Sequence, residues 1–433
     1  MSNSRVLERK VFQIKFETVS PLSVSSGEDE WTDSDVLRNW DGEPFVSGSS
    51  LAGAMRAYLE KEKNESCLMG YSGIDDVGKM SSLFISDIVF QDGYQTGVRD
   101  GVALGINKTA KTGSKYDVEI LEHGAGGTFY MELVVREADN EREMDKELVR
   151  LFTGIRLGEI RLGQKKTRGF GEFRLTSIKC SIFDRNNYLE YAKAYDADYW
   201  EKRADEKEAW EKRESCEHKK ILIEVPLKLT GGISIRQYAA IKGQPDFTHI
   251  TDNGVPVIPG SSMNGAVRHR ICEILNELGE NNVIKHENVK GIVDTMFGYV
   301  DESGAKISAI VVSESKIKGA TPLTMTRTGV SRFESAVKKG ALYKERTYVG
   351  GTVTLKISVN KNTSGDEKWM IGLLLLAIKD LQNGYLSVGG ETAIGRGLFS
   401  KNGPILIDGE SGKEDTYIND LVNNLQNSLG GGL

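Results

Sequence analysis

The chain has 433 residues, room for two ordinary domains of about 100–200 residues each. Hydrophobic residues make up 39% and charged residues 27%, and a net charge of −6 excludes a protein that coats nucleic acid through bulk positive charge, while leaving local basic patches open. No run approaches 18 apolar residues, the start MSNSRVLERKVF has no apolar stretch before a cleavage site, and the four cysteines are scattered without a CxxC pair, so neither a membrane span nor a secretory signal is expected and a reducing cytoplasm fits.

In chain order, VFQIKFET (11–18) alternates as a half-buried strand does. A polar loop with Asp33 and Asp35 follows, and then PFVSGSSLAGAMR, where Ser49 and Ser50 are expected to cap a helix running to about residue 62. Strands are expected at about 83–90 and 129–136, a helix at about 141–154 and a strand at about 170–176. A long polar insertion at about 98–120 interrupts the core pattern with Arg99, Lys108, Lys111 and Lys115. The stretch 186–220 has no Gly or Pro and mixes both charge signs with six aromatics, which reads as an exposed helical linker. Beyond it the same kinds of element return at about 219–226, 261–277, 307–313, 351–358, 368–382 and 395–399. A second polar insertion at about 326–347 carries Arg327, Arg332, Lys338 and Lys339.

That return is a duplication. PFVSGSSLAGAMR (44–56) matches PVIPGSSMNGAVR (256–268), with the glycines 212 residues apart. LGQKKTRGFGEF (162–173) is answered by VGGETAIGRGLF (388–399), and pairing Arg168 with Arg396 gives an offset of 228. The order β-α-β-β-α-β in each half describes a ferredoxin-like domain. The chain is therefore expected to be α+β, with two tandem ferredoxin-like (RRM-like) domains at 1–185 and 219–433, a hairpin insertion in each, and a charged helical linker at 186–218.

The repeated motifs have a common chemistry. A Gly-Ser-Ser turn offers backbone N–H groups, hydroxyls and a helix N-terminus to a phosphate: Ser49 and Ser50 with Arg56 in one half, Ser261 and Ser262 with Arg268 in the other. The Gly/Arg turn adds Lys165, Lys166, Arg168 and Gly169 in the first half, and Arg396 and Gly397 in the second. The insertions interleave cations with Tyr116, Phe333 and Tyr343, as suits a hairpin crossing single-stranded nucleic acid. Asp33 and Asp246 stand 15 and 14 residues before the Gly-Ser-Ser glycines, where an acid could bind a metal or take a 2′-hydroxyl proton. His123, His218, His249, His269 and His286 have no repeated partner, which argues against a histidine-based ribonuclease, although His249 is near enough to Asp246 to assist it.

These residues resemble the repeat-associated mysterious protein (RAMP) superfamily. The closest resemblance is to backbone subunits of type III CRISPR effector complexes, in the tandem form of type III-D. The resemblance implies a subunit that grips guide CRISPR RNA and pushes a thumb hairpin between guide and target in each module. It also implies that complementary target RNA is cut at the kinked positions by loop aspartates, here Asp33 and Asp246, with a divalent metal, Mg²⁺ as first choice, and no organic cofactor. Its implied partners are other RAMP backbone subunits and the large subunit, with no membrane. Two alternatives stay open: a non-catalytic RNA-binding backbone subunit, and a ribonuclease that processes the guide precursor.

Overall fold

A computed structural model of the chain describes residues 5–25, 32–60, 66–72, 78–105, 108–213, 218–238, 245–281, 288–301, 304–361 and 367–430. Two compact units emerge. One is 1–101, 116–166 and 170–218; the other is 102–115, 167–169 and 219–433.

The first unit is built on β1 (Val6–Thr18), α1 (Gly48–Leu59), the short strands β2 (Leu83–Ile85) and β3 (Ile88–Phe90), β4 (Gly126–Arg136), α2 (Glu141–Arg156) and β5 (Phe173–Asp184). Counting β2 and β3 as one interrupted strand, the antiparallel order across the sheet is fourth, first, third, second, the ferredoxin-like arrangement. Phe12, Ile14 and Phe16 of β1 lie opposite Met131, Phe129 and Gly127 of β4. They join the helix stripes Leu51, Met55 and Leu59 of α1, and Met144, Leu148, Leu151 and Ile155 of α2, in one core. That spacing of three and four is what turns one helix face inward.

The second unit repeats the plan with β6 (Lys220–Thr230), α3 (Gly260–Glu280), β7 (Ile310–Val312), β8 (Thr352–Asn360), α4 (Glu367–Gln382) and β9 (Leu398–Lys401). Its sheet order is the same, with β6 between β8 and β9 and with β7 outside β8. α4 is apolar almost all round because a C-terminal helix, α5 (Glu414–Gly430), covers its outer side. Gly372 makes that packing possible, since any Cβ there would run into the Tyr417 carbonyl. The fold is thus α+β in two tandem ferredoxin-like modules, as the β-α-β-β-α-β pattern implied.

Residues 186–213 overturn the expectation of one exposed helix. They form a 3-10 turn at Tyr188–Tyr195 and two five-residue helices, Ala197–Glu201 and Lys207–Glu211, which strap over β5. Trp200 is 1% exposed on one side of the sheet, with Val11, Phe183 and Ala194. Trp210 is buried on the other side, edge-on to Phe12 and Phe152 at 5.6 and 5.2 Å. Between them the Glu206 N–H donates to the Ile178 carbonyl (2.7 Å) and the Ile178 N–H donates to Asp205 (3.1 Å), so the strap pairs with the sheet edge. The aromatics drive this: two indoles are too large to leave in water when a sheet face and a core lie within reach. The strap also explains why β1 is buried on both faces from Val11 to Ile14 while β6 alternates strictly.

Candidate nucleic-acid interface

Each module carries a long two-stranded hairpin. The first pairs β10 (Thr96–Leu104) with β11 (Ala110–Leu121), and the second pairs β12 (Thr321–Val330) with β13 (Val337–Val349). The second closes with the Ser331 N–H donating to the Ala336 carbonyl, and it presents Phe333 fully exposed at the apex. Lys108, Lys111, Lys115, Arg332, Lys338 and Lys339 are exposed, as a nucleic-acid-binding hairpin requires. Arg99 and Arg327 depart from that picture. Arg99 is 5% exposed and Arg327 turns inward onto Glu345 and Glu391, so neither projects from the hairpin.

The loop acids meet the hairpins at equivalent points. The Asp117 N–H donates to the Asp33 carboxylate (2.9 Å), and the Asp33 N–H returns a bond to Asp117 (3.0 Å). In the second module the Lys344 N–H donates to the Asp246 carboxylate (2.7 Å). Asp117 precedes Val118 on β11 as Lys344 precedes Glu345 on β13, one residue after Tyr116 and Tyr343 respectively. Both acids are exposed, whereas Asp35 is buried and takes the Thr32 hydroxyl. The loops then run along the same strands. The Glu119 N–H donates to the Ser34 carbonyl in one, and Phe247–His249 pairs in parallel with β13 in the other.

The Gly-Ser-Ser helix starts differ from expectation in their caps. α1 is capped by Ser47, whose hydroxyl accepts the Ser50 N–H, and the Gly48 N–H donates to Asp87 (2.7 Å). α3 starts after Pro259 with no side-chain cap. Gly48 and Gly260 serve packing, since a Cβ at either would strike the carbonyl at the end of the neighbouring strand, Ile85 or Val312. Arg56 is half-buried, and Arg268 reaches Asp294 at 3.5 Å.

The Gly/Arg turns superpose two residues out of step from the Arg168–Arg396 pairing. The Leu162 N–H donates to the Gly171 carbonyl as the Val388 N–H does to Gly397, and Gln164 binds Ser23 as Gly390 binds Ser234. Positive φ falls at Gly163, Lys165, Gly169 and Gly171, and at Gly389, Glu391, Gly395 and Gly397. Arg168 therefore corresponds to Ile394, Arg396 to Phe170, and Lys165 to Glu391. The charge is reversed at one place. In the first module the Lys165 ammonium lies 3.9 Å from the Tyr116 ring centre and 5.9 Å from Phe170. In the second, Glu391 takes Arg236 at 2.7 Å, Arg327 at 3.4 Å and Arg396 at 3.9 Å, beside the fully buried Glu345. Arg396 is thus an internal ion-pair residue with Met325 on its other side, while Lys166 and Arg168 remain exposed. Gly169 and Gly397 are buried.

His249 cannot assist Asp246. It is 2% exposed, its Nδ1 accepts the Ile235 N–H (3.0 Å), and its Nε2 lies 3.0 Å from the Val257 carbonyl, which fits a neutral ring with both nitrogens engaged. Cys216 and His286 lie outside the described residues. Cys67, Cys180 and Cys272 are free thiols, and burial, reinforced at Cys180 by the Glu206 charge, pushes Cys180 up to about 12, far from a reactive thiolate. Among the described residues no three His, Cys, Asp or Glu side chains gather as a closed metal cage. Asp33 and Asp117 exchange bonds between loop and hairpin, and their carboxylates would suit a hard cation that keeps waters and takes phosphate oxygens as its other ligands. The second module offers Asp246 beside Lys344, a poorer fit.

Two ferredoxin-like modules, each with a long exposed hairpin and an acid clipped to its second strand, define a tandem RRM-like protein. The family model of the RAMP superfamily matches residues 15–174 and 241–400, about three quarters of the chain, and the chain belongs to that superfamily. Membership makes it a CRISPR-associated RNA-binding protein. No curated protein matches the chain. Among the described residues no helix is long and apolar enough to cross a membrane.

Proposed function

We propose that the chain is a double backbone subunit of a type III effector complex, binding guide RNA through both modules and cutting complementary target RNA at Asp33 and Asp246. The observation that carries this reading is the shared clip: in each module one carboxylate oxygen of the loop acid is held by a hairpin-strand amide, at matching strand positions. A hairpin wedged between guide and target would carry the acid with it, so the acid meets the target backbone only where the stack is broken. There the carboxylate orients the 2′-hydroxyl for in-line attack and takes its proton as the O2′–P bond forms. The P–O5′ bond breaks, giving a 2′,3′-cyclic phosphate and a 5′-oxygen that takes a proton from water. A divalent ion held by Asp33 and Asp117 would supply charge neutralisation at the phosphate. The partners on this reading are guide RNA, target RNA, further RAMP subunits and the large subunit.

The test is cleavage of end-labelled target RNA by the assembled complex carrying Asp33→Asn, Asp246→Asn or both. Each asparagine can still accept the strand amide, so the loop keeps its place while the charge is lost. Each single change should remove its own product bands by about a hundredfold or more, and the double change should remove both sets. A double variant that keeps every band shows the acids to be structural. Guide binding retained with no cutting by the unaltered complex identifies a non-catalytic backbone subunit.

A further inference from the structure

The loop that follows Asp33 folds into a small hairpin whose tip is an indole. The Phe45 N–H donates to the Leu37 carbonyl and the Asn39 N–H to the Glu43 carbonyl, and the Gly42 N–H closes the turn onto Asn39. Asn39 also accepts the Asp41 and Glu43 N–H groups on its side-chain oxygen, both at 2.9 Å. Gly42 has φ 80°, which lets the chain leave the turn in the left-handed region. Trp40 stands at the crest with 93% of its surface exposed.

This turn is braced from outside as well. The Arg38 guanidinium donates to the Gly42 carbonyl (3.2 Å) and to Glu119 of β11 (2.5 Å), and the Tyr94 hydroxyl donates to Glu43. Glu119 holds the loop a second time by accepting the Val36 N–H (2.9 Å). β11 therefore fixes the Asp33 carboxylate and the Trp40 turn together. A rigid turn costs little entropy on binding, and an exposed indole with no use inside the fold calls for a use outside it.

The fold does not demand the ring. The second module makes the corresponding connection with Asn253-Gly254, both at positive φ in a two-residue turn without any aromatic. The residues around Trp40 are polar and two are acidic, Asp41 and Glu43. Such a rim disfavours a phosphate and offers no apolar border to a protein partner, but it leaves both ring faces to a neutral base.

We propose that Trp40 is a stacking platform for one unpaired RNA base beside the Asp33 loop, a contact the second module lacks. The proposal rests on the RNA-binding reading of the modules. It is tested with the full chain and an unstructured single-stranded RNA, comparing the unaltered protein with Trp40→Phe and Trp40→Ala by equilibrium binding and tryptophan emission. The chain has five tryptophans, so the part of the RNA-induced quenching that is lost in both variants, rather than the total, reports this ring. Trp40→Ala should weaken binding by between about fivefold and about a hundredfold, the size of one lost stack, with an unchanged Tm. Trp40→Phe should retain most of the affinity. Equal affinity and equal quenching in all three proteins overturn the proposal and leave RNA binding standing. Unchanged RNA affinity with lost assembly into the complex also overturns it, making Trp40 a protein anchor. No RNA binding by any of the three, alone or assembled, would overturn the underlying reading.

Discussion

Glu345 has no exposed surface, and its neighbours decide its charge. Burial, then the facing Glu391, pushes its carboxyl above the ordinary range, against the pull of Arg327 and Arg236. A raised carboxyl contributes stability that is fully present below the ordinary glutamate value and lost as pH rises through the folded value. Tm measured against pH should therefore fall above about pH 4.5 in the unaltered protein, and Glu345→Gln should flatten that fall. An unchanged slope would mean that the arginines already hold Glu345 ionised. At this scale the sequence was partly readable. The two loop acids can be paired with one another from their distance to the Gly-Ser-Ser helix, because a repeated motif supplies a ruler. Their grip on the hairpin strand was invisible, since backbone amides leave no trace in a sequence. Trp40 was missed for a related reason: one aromatic in a polar turn has no period and no copy in the other half.

The strap of residues 186–213 gives the clearest test among the elements. Trp200→Ala and Trp210→Ala should each cost about 3–5 kcal/mol, since each removes an indole from a packed site; chemical denaturation measures this, and a loss under about 1 kcal/mol would place the strap outside the folded core. Its acid sensitivity has a sign. Burial works against ionisation of Asp205, but the Lys207 and Ile178 amides outweigh it and hold the carboxyl below its ordinary value. Stabilisation from Asp205 is thus present above about pH 4 and lost as pH falls through the lower folded value. The protection of the Ile178 amide relative to its intrinsic exchange rate should fall in that acid range, and Asp205→Asn should abolish the change. The strap was misread because charge counts describe a segment's outer side. Tyr191, Tyr199, Trp200 and Trp210 carry the inner one, and their spacing matched no single helix. The core strands and helices were legible because their apolar period is enforced by a sheet face beneath them. Boundaries slipped where backbone geometry alone decides, as at α1, which begins at Gly48 behind Ser47.

Across the whole molecule the two modules share a fold, and within their Gly/Arg turns the charge reverses at Lys165 against Glu391. RNA affinity and stability should separate accordingly. Lys166→Ala with Arg168→Ala removes exposed cations and should weaken RNA binding, with a shallower salt dependence and little change in Tm. Arg396→Ala instead removes one of the three arginines around Glu391 and should cost about 1–3 kcal/mol, seen as a lowered Tm with no loss of salt-dependent affinity beyond that from unfolding. The reverse outcome, lost affinity at unchanged stability, would return Arg396 to the RNA surface. The strap carries one more consequence. By covering one face of the first sheet, it makes Val11 and Gln13 core positions, while the matching Leu222 and Glu224 stay half-open to solvent. The two copies of that strand therefore carry different packing duties: the first must fill the space beneath the strap, and the second must border water on the same face.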